Sequence, residues 1–202
     1  MVQTPSHFGT EEHIDAAMPP GFYAQPILDL SRALIGCELL VEGVGGPIIE
    51  TEAYEAGDPA SHSFAGPTAR NSAMFGPGGR LYVYRIYGMH WCLNIVGGLE
   101  AGSAVLIRAI EPAHGVERMR ERRRTDDPRK LCAGPGRLCE ALGVTGAGDG
   151  LPLDRLPFEL RPRAAEPAIL VGPRIGITKA AEKPWRFGLA GSRYLSRPFP
   201  PP

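Results

Sequence analysis

The chain carries 26 glycines and 21 prolines in 202 residues, scattered along its length rather than gathered into one linker. That punctuation constrains the fold more than any other feature. Proline fixes φ and removes a backbone donor, and glycine favours turns and close approaches over element interiors. Short elements joined by many turns are therefore expected, and long helices are not. The length suits one domain with a substantial core. Residues 1–20 show no periodicity and read as a flexible N-terminal tail. Residues 21–197 read as one undivided body without internal repeats. Residues 198–202 close the chain as a proline-rich tail, fit for neither helix nor central strand.

Within the body, PILDLSRALIG places Ile27, Leu30, Ala33 and Leu34 on one helical face, with Gly36 as the stop. CELLVE and PIIETEAY read as strands around a glycine-rich turn at 43–46. LYVYRIYGMHWCLNIV (81–96), rich in aromatic and branched residues, reads as a second hairpin with its tip at Tyr87-Gly88-Met89. SAVLIRAIEP (103–112) adds a strand, AHGVERMRERRR (113–124) a basic helix and GPGRLCEALG (134–143) a short helix. AILVGPRIGI (168–177) and WRFGLAG (185–191) read as late strands. The expected architecture is a single α+β domain: a mostly antiparallel, curved sheet, flanking helices and a protruding hairpin.

Composition excludes several classes. Hydrophobic residues at 43% and charged residues at 22% are ordinary for a globular protein. No apolar run reaches bilayer length. The N-terminus lacks the basic start and apolar run of a secretory signal, so an intracellular protein is expected. Cys37, Cys92, Cys132 and Cys139 form no Cys-x-x-Cys pair and read as buried reduced thiols; Cys132 and Cys139 are spaced to share a helix face. The formal net charge is zero, but residues 1–60 hold ten acidic residues and one basic, while residues 61–202 hold 21 basic and 12 acidic. Arginine outnumbers lysine 19 to 3, and its planar fork suits bidentate phosphate contacts.

The most informative stretch is ETEAYEAGDPASH (50–62). On a strand Glu50, Glu52 and Tyr54 share a face while Thr51 and Ala53 look away. Taken alone, this is an ordinary charged strand face. Three polar placements elsewhere add weight: His62 in a turn-rich loop, Asn94 inside an apolar strand, and Arg108 in VLIRAIEP. A buried amide or guanidinium needs a partner or a ligand. Tyr87 and Met89 at a hairpin tip are expected to be exposed, as a surface that contacts something.

Read together, ETEAY (50–54), ASHS (60–63), ARNSAMFGPGG (69–79), LYVYRIYGMHWCLNIV (81–96), VLIRAIEP (105–112), LCAGPGRLC (131–139) and KPWRF (183–187) resemble the alkyladenine (3-methyladenine) DNA glycosylase family. These blocks run in family order over roughly residues 22–196. The resemblance implies a monofunctional glycosylase of base excision repair. Such an enzyme flips alkylated or deaminated purines out of double-stranded DNA and hydrolyses the N-glycosidic bond with water. It implies Glu52 as the residue that deprotonates that water, and Tyr54, His62 and Tyr84 as the walls around the base. It further implies Tyr87 as the intercalating wedge, Asn94 as the filter against guanine, and Arg108 as support for pocket and sugar-phosphate. No metal or organic cofactor is implied, and a monomer is expected. Two positions depart from the pattern: Ala65 stands where relatives often carry a basic or polar residue, and Ala69 where proline is frequent. Two alternatives stay open at this point. One is a non-catalytic nucleic-acid-binding module on the same fold; the other is a glycosidase for free nucleosides using both Glu50 and Glu52.

Overall fold

The first hairpin turns on Glu42 and Gly43, both in the left-handed region at φ 51° and 74°. Two-residue turns of this hand match the twist of paired strands. They join β1 (Glu38–Val41) to β2 (Val44–Tyr54) in a computed structural model that describes residues 17–200. The reversal thus comes earlier than the expected 43–46. Gly45 and Gly46 are strand residues that permit close approach. A Cβ on Gly45 would stand 1.9 Å from the Leu39 carbonyl oxygen, and one on Gly46 would stand 2.1 Å from that of Glu111.

Strand β2 organises the molecule. Its first half pairs with β1, and its second half runs between β5 (Ala104–Ile110) and β8 (Arg186–Leu189). The sheet runs from β3 (Leu81–Ile86) through β4 (His90–Val96), β5, β2 and β1 to β6 (Phe158–Arg161), and β7 (Ile169–Gly172) extends it beyond β8. Every strand pairing is antiparallel. Register shifts around Glu50 mark an irregularity that bends β2 and curls the sheet. β6 was not foreseen: its segment, FELR, is too short to carry a periodic signal.

Helices α1 (Ile27–Ala33) and α3 (Pro135–Leu142) pack on β2, β4 and β5, with α2 (Val116–Arg123) against α3. α2 is shorter than the expected 113–124 because Gly115 and Arg124 adopt φ 63° and 51° at its ends. Ahead of it, the Ala113 and His114 amides bond to the Gly45 carbonyl instead. The core between sheet and helices holds Leu30, Leu34, Ile48, Leu93, Ile95, Ile107, Leu138 and Phe187, all fully buried. Each such side chain contributes ~1.5–3 kcal/mol on leaving water. All four cysteines are buried thiols. Cys132 precedes α3, so it does not share a helix with Cys139.

Of the expected N-terminal tail, residues 1–16 lie outside the described residues; Met18 packs against the core. Of the C-terminal stretch, Phe199 lies 3.7 Å beneath the Arg186 guanidinium, and residues 201–202 lie outside the described residues. Among the described residues no helix is long and apolar enough to cross a membrane.

Candidate active site

Strict alternation gives the sheet two different faces. Leu81, Val83, Leu93, Ile95, Val105 and Ile107 point into the helical core. Their neighbours Tyr82, Tyr84, Cys92, Asn94, Leu106 and Arg108 line a cavity of about 330 Å³ on the opposite side. β2 follows the same rule: Thr51 bonds Ser31 of α1 on the core side, whereas Glu52 and Tyr54 border the cavity. Loop residues Ser61 and His62, Met74, and the hairpin-tip Tyr87 complete much of the wall. All seven residues singled out in the sequence therefore meet in one place. The volume is at the small end for ligand sites, fitting a single ring system rather than an extended chain.

Glu52 is fully buried and held from three directions. Its Oε1 accepts the Ile175 backbone N–H at 2.7 Å and lies 3.2 Å from Nη1 of Arg108. Its Oε2 accepts the Tyr54 hydroxyl at 2.8 Å. Oε1 thus faces an amide and a cation, and Oε2 a single hydroxyl. Burial, followed by the neighbouring Glu52 charge, pushes the Tyr54 hydroxyl far above its ordinary value, so it stays a donor.

Glu50 has a different task. It is also fully buried, but lies outside the cavity lining. It accepts from Nε of Arg108 at 3.1 Å, from the Ser196 amide at 2.5 Å and from the Ser196 hydroxyl at 2.8 Å, with Nε of Arg186 3.3 Å away as an ion pair. Arg108, 7% exposed, thus bridges the two glutamates. With every oxygen of Glu50 committed away from the cavity, the paired-carboxylate arrangement of a nucleoside glycosidase is not formed.

The aromatic walls touch one another. Tyr82 and Tyr84 stack at 5.3 Å between centroids, and His62 meets Tyr84 edge-on at 4.5 Å. His62 Nδ1 and the Tyr82 hydroxyl are 2.9 Å apart. Burial raises Tyr82 to about 12, so its hydroxyl can donate to a neutral imidazole. His62 itself is lowered below 6.5, first by burial and then by the charge of Arg70. Asn94, 4% exposed, gives its amide N–H to the Tyr82 carbonyl at 3.0 Å while bordering the cavity. At the rim Tyr87 is 82% exposed and Met89 66%, and Tyr87 takes φ 51° at the hairpin tip.

The sequence pattern described as methylpurine-DNA glycosylase (MPG) matches residues 21–193. The chain belongs to the methylpurine-DNA glycosylase family. Curated relatives bear the provisional name 3-methyladenine DNA glycosylase. One from Rhodopseudomonas palustris (strain HaA2) is 60% identical over 179 residues, covering 88% of this chain and 89% of its own. One from Nitrosospira multiformis is 58% identical, covering 87% and 91%, and one from Agrobacterium fabrum is 54% identical, covering 91% and 94%.

In this methylpurine-DNA glycosylase family member, several cavity residues had no separate sequence signal. Ile175, Gly176 and Ile177 come from the segment after β7 and contribute, through Ile175, a backbone N–H. No side-chain pattern marks a backbone donor. Cys92, read as a structural thiol, also borders the cavity, and burial raises it above its ordinary value. Among the described residues no cluster of histidine, cysteine and carboxylate groups is arranged to hold a metal ion.

Proposed function

We propose that the chain is a monofunctional DNA glycosylase that draws a damaged purine out of double-stranded DNA and hydrolyses its N-glycosidic bond. The observation that carries this reading is Glu52. It is a buried carboxylate fixed by Arg108, Tyr54 and a backbone amide beneath an aromatic cavity, whose rim presents an exposed tyrosine on a hairpin. A base inside a duplex is out of reach, so the enzyme extrudes it at a cost of a few kcal/mol. Tyr87 fills the gap it leaves. Tyr54, His62 and Tyr84 enclose the purine, and a ring-alkylated, cationic purine gains about 0.5–2 kcal/mol per favourable aromatic contact. Asn94 narrows the side of the cavity against a 2-amino group. Oε1 faces the Ile175 amide and the Arg108 cation, so Glu52 takes the proton of the attacking water at Oε2. Such general-base action contributes typically ~10²–10⁴-fold. Arg108 holds Glu52 in place and offsets its charge. The products are the free base and an abasic site, and the protein acts as a monomer.

The test uses a duplex with one hypoxanthine or ethenoadenine, followed by alkaline cleavage of abasic sites. With the native protein, alkali is expected to cleave only at the lesion. Glu52→Gln keeps the shape but accepts no proton, so excision falls by at least about a hundredfold while affinity for an abasic-analogue duplex persists. Excision by Glu52→Gln at the native rate rejects Glu52 as the base. Turnover of free inosine without duplex excision rejects the DNA substrate.

A further inference from the structure

Arg174 lies directly behind the cavity without lining it. Its side chain and that of Asp58 are wholly buried and form an ion pair. Nη1 also donates to the Ala53 carbonyl at 3.0 Å, and Nη2 to that of Ala180 at 3.4 Å. The guanidinium lies 4.6 Å from the centroid of the Tyr54 ring and 5.1 Å from that of Trp185. Each contact leads to the site. Tyr54 gives its hydroxyl to Glu52 Oε2. Ile175, next in the chain, gives its N–H to Oε1. Asp58 opens the loop that delivers Ser61 and His62, and its Oδ1 accepts the Ala60 amide at 3.2 Å. A buried ion pair is weak evidence for stability, because desolvation opposes the Coulombic gain. Its location at the junction of three cavity segments is more informative.

We propose that Arg174, with Asp58 as counterion, is a positioning residue. It fixes Tyr54, the Ile175 amide and the His62 loop so that Glu52 keeps both of its hydrogen-bond donors. This rests on the proposed role of Glu52. The other groups facing Glu52 are Arg108 from β5, Arg186 from β8, Cys92 from β4, and Glu50 on its own strand, which shares Arg108. None of these is hydrogen-bonded to or ion-paired with Arg174, so altering Arg174 changes a separate part of the shell.

The experiment measures single-turnover excision of hypoxanthine from a duplex between about pH 5 and 8.5, and affinity for a duplex with a tetrahydrofuran abasic analogue. Arg174→Lys keeps a charge opposite Asp58 but lacks the planar fork that stacks and reaches two carbonyls. The single-turnover rate is expected to fall ~10–100-fold from misplacement of the reacting groups, with affinity for the analogue unchanged. The acid limb of the rate is expected to move to higher pH, because a carboxylate that loses donors holds its proton more tightly. An unmoved acid limb, with rate and affinity falling together or not at all, overturns the proposal. If Arg174→Lys fails to fold, Asp58→Asn/Arg174→Gln removes both charges at once and carries the same two readouts. Glu52→Gln separates the two readings: if it excises normally, the proposed function fails, and if it is inactive while the acid limb stays put, only the role of Arg174 fails.

Discussion

Asn94 is tied into the fold and also faces the cavity, so under the proposed function it bears on stability and selectivity together. Its N–H satisfies the Tyr82 carbonyl across the second hairpin, and the same residue borders the cavity. Asn94→Ala therefore combines a stability loss of about 0.5–1.5 kcal/mol with a gain in slow removal of mispaired guanine, while hypoxanthine removal changes little. Excision of both bases, read beside the melting temperature of the same protein, checks this; uniform loss without a shift toward guanine removes the steric filter. His62 allows a pH prediction. Burial and then the charge of Arg70 lower its pKa from the ordinary value, so the neutral ring is favoured and charge is gained on acidification. An imidazolium repels a cationic alkylpurine but not a neutral hypoxanthine. The ratio of 3-methyladenine to hypoxanthine excision should therefore drop toward pH 5 in the native protein and stay level in His62→Asn.

The second hairpin ends in a tip that the core does not cover. Ile86 and His90 are its last paired residues, and Tyr87 and Gly88 both take positive φ at the tip. Glycine suits such a position and a tyrosine does not; a non-glycine residue in the left-handed region costs about 1–2 kcal/mol. At 82% exposure Tyr87 recovers little of that by burial. Tyr87→Gly should therefore leave the urea midpoint unchanged or higher, while weakening binding to lesion DNA by roughly the 1–3 kcal/mol of a stacking contact. Opposite movement of the two quantities is the signature of a wedge. A fall in both would make the tyrosine a structural residue.

Across the whole molecule, the uneven charge along the chain has a concrete outcome. Of the ten acidic residues in the first sixty, seven lie among the described residues, and three of those, Glu50, Glu52 and Asp58, are fully buried. They pair with Arg108, Arg186 and Arg174, all from the basic remainder. The acidic segment is thus drawn partly inward and is not simply an acidic face turned to a polyanion. This long-range pairing ties β2 and the loop after it to β5, β8 and the segment after β7. Glu50→Ala removes the carboxylate partner of buried Arg186 and one of the two of Arg108, and is expected to lose about 3–5 kcal/mol of stability. Glu50→Gln, which keeps acceptor oxygen for Ser196, should lose less. Urea unfolding of both variants measures the difference.

Much of the site was legible because it rests on local period. The alternation of β2, the second hairpin and β5 is enough to place Glu52, Tyr54, Tyr84, Asn94 and Arg108 on matching faces, and a hairpin tip must expose Tyr87. The family resemblance joined those faces into one cavity before any coordinates did. What no local pattern could decide was partnership over long separations. That Glu50 serves Arg108, Arg186 and Ser196 while Glu52 borders the cavity depends on the curl at the register shifts of β2 and on which strands flank it. The true turn at Glu42-Gly43 was hidden because glycine marks both turns and close approaches, and only packing against Leu39 and Glu111 tells them apart. The Ile175 amide and the Arg174–Asp58 pair were invisible for a further reason. A backbone N–H has no residue signature, and an arginine acquires its role only when residues 116 positions apart are brought into contact by the closed fold.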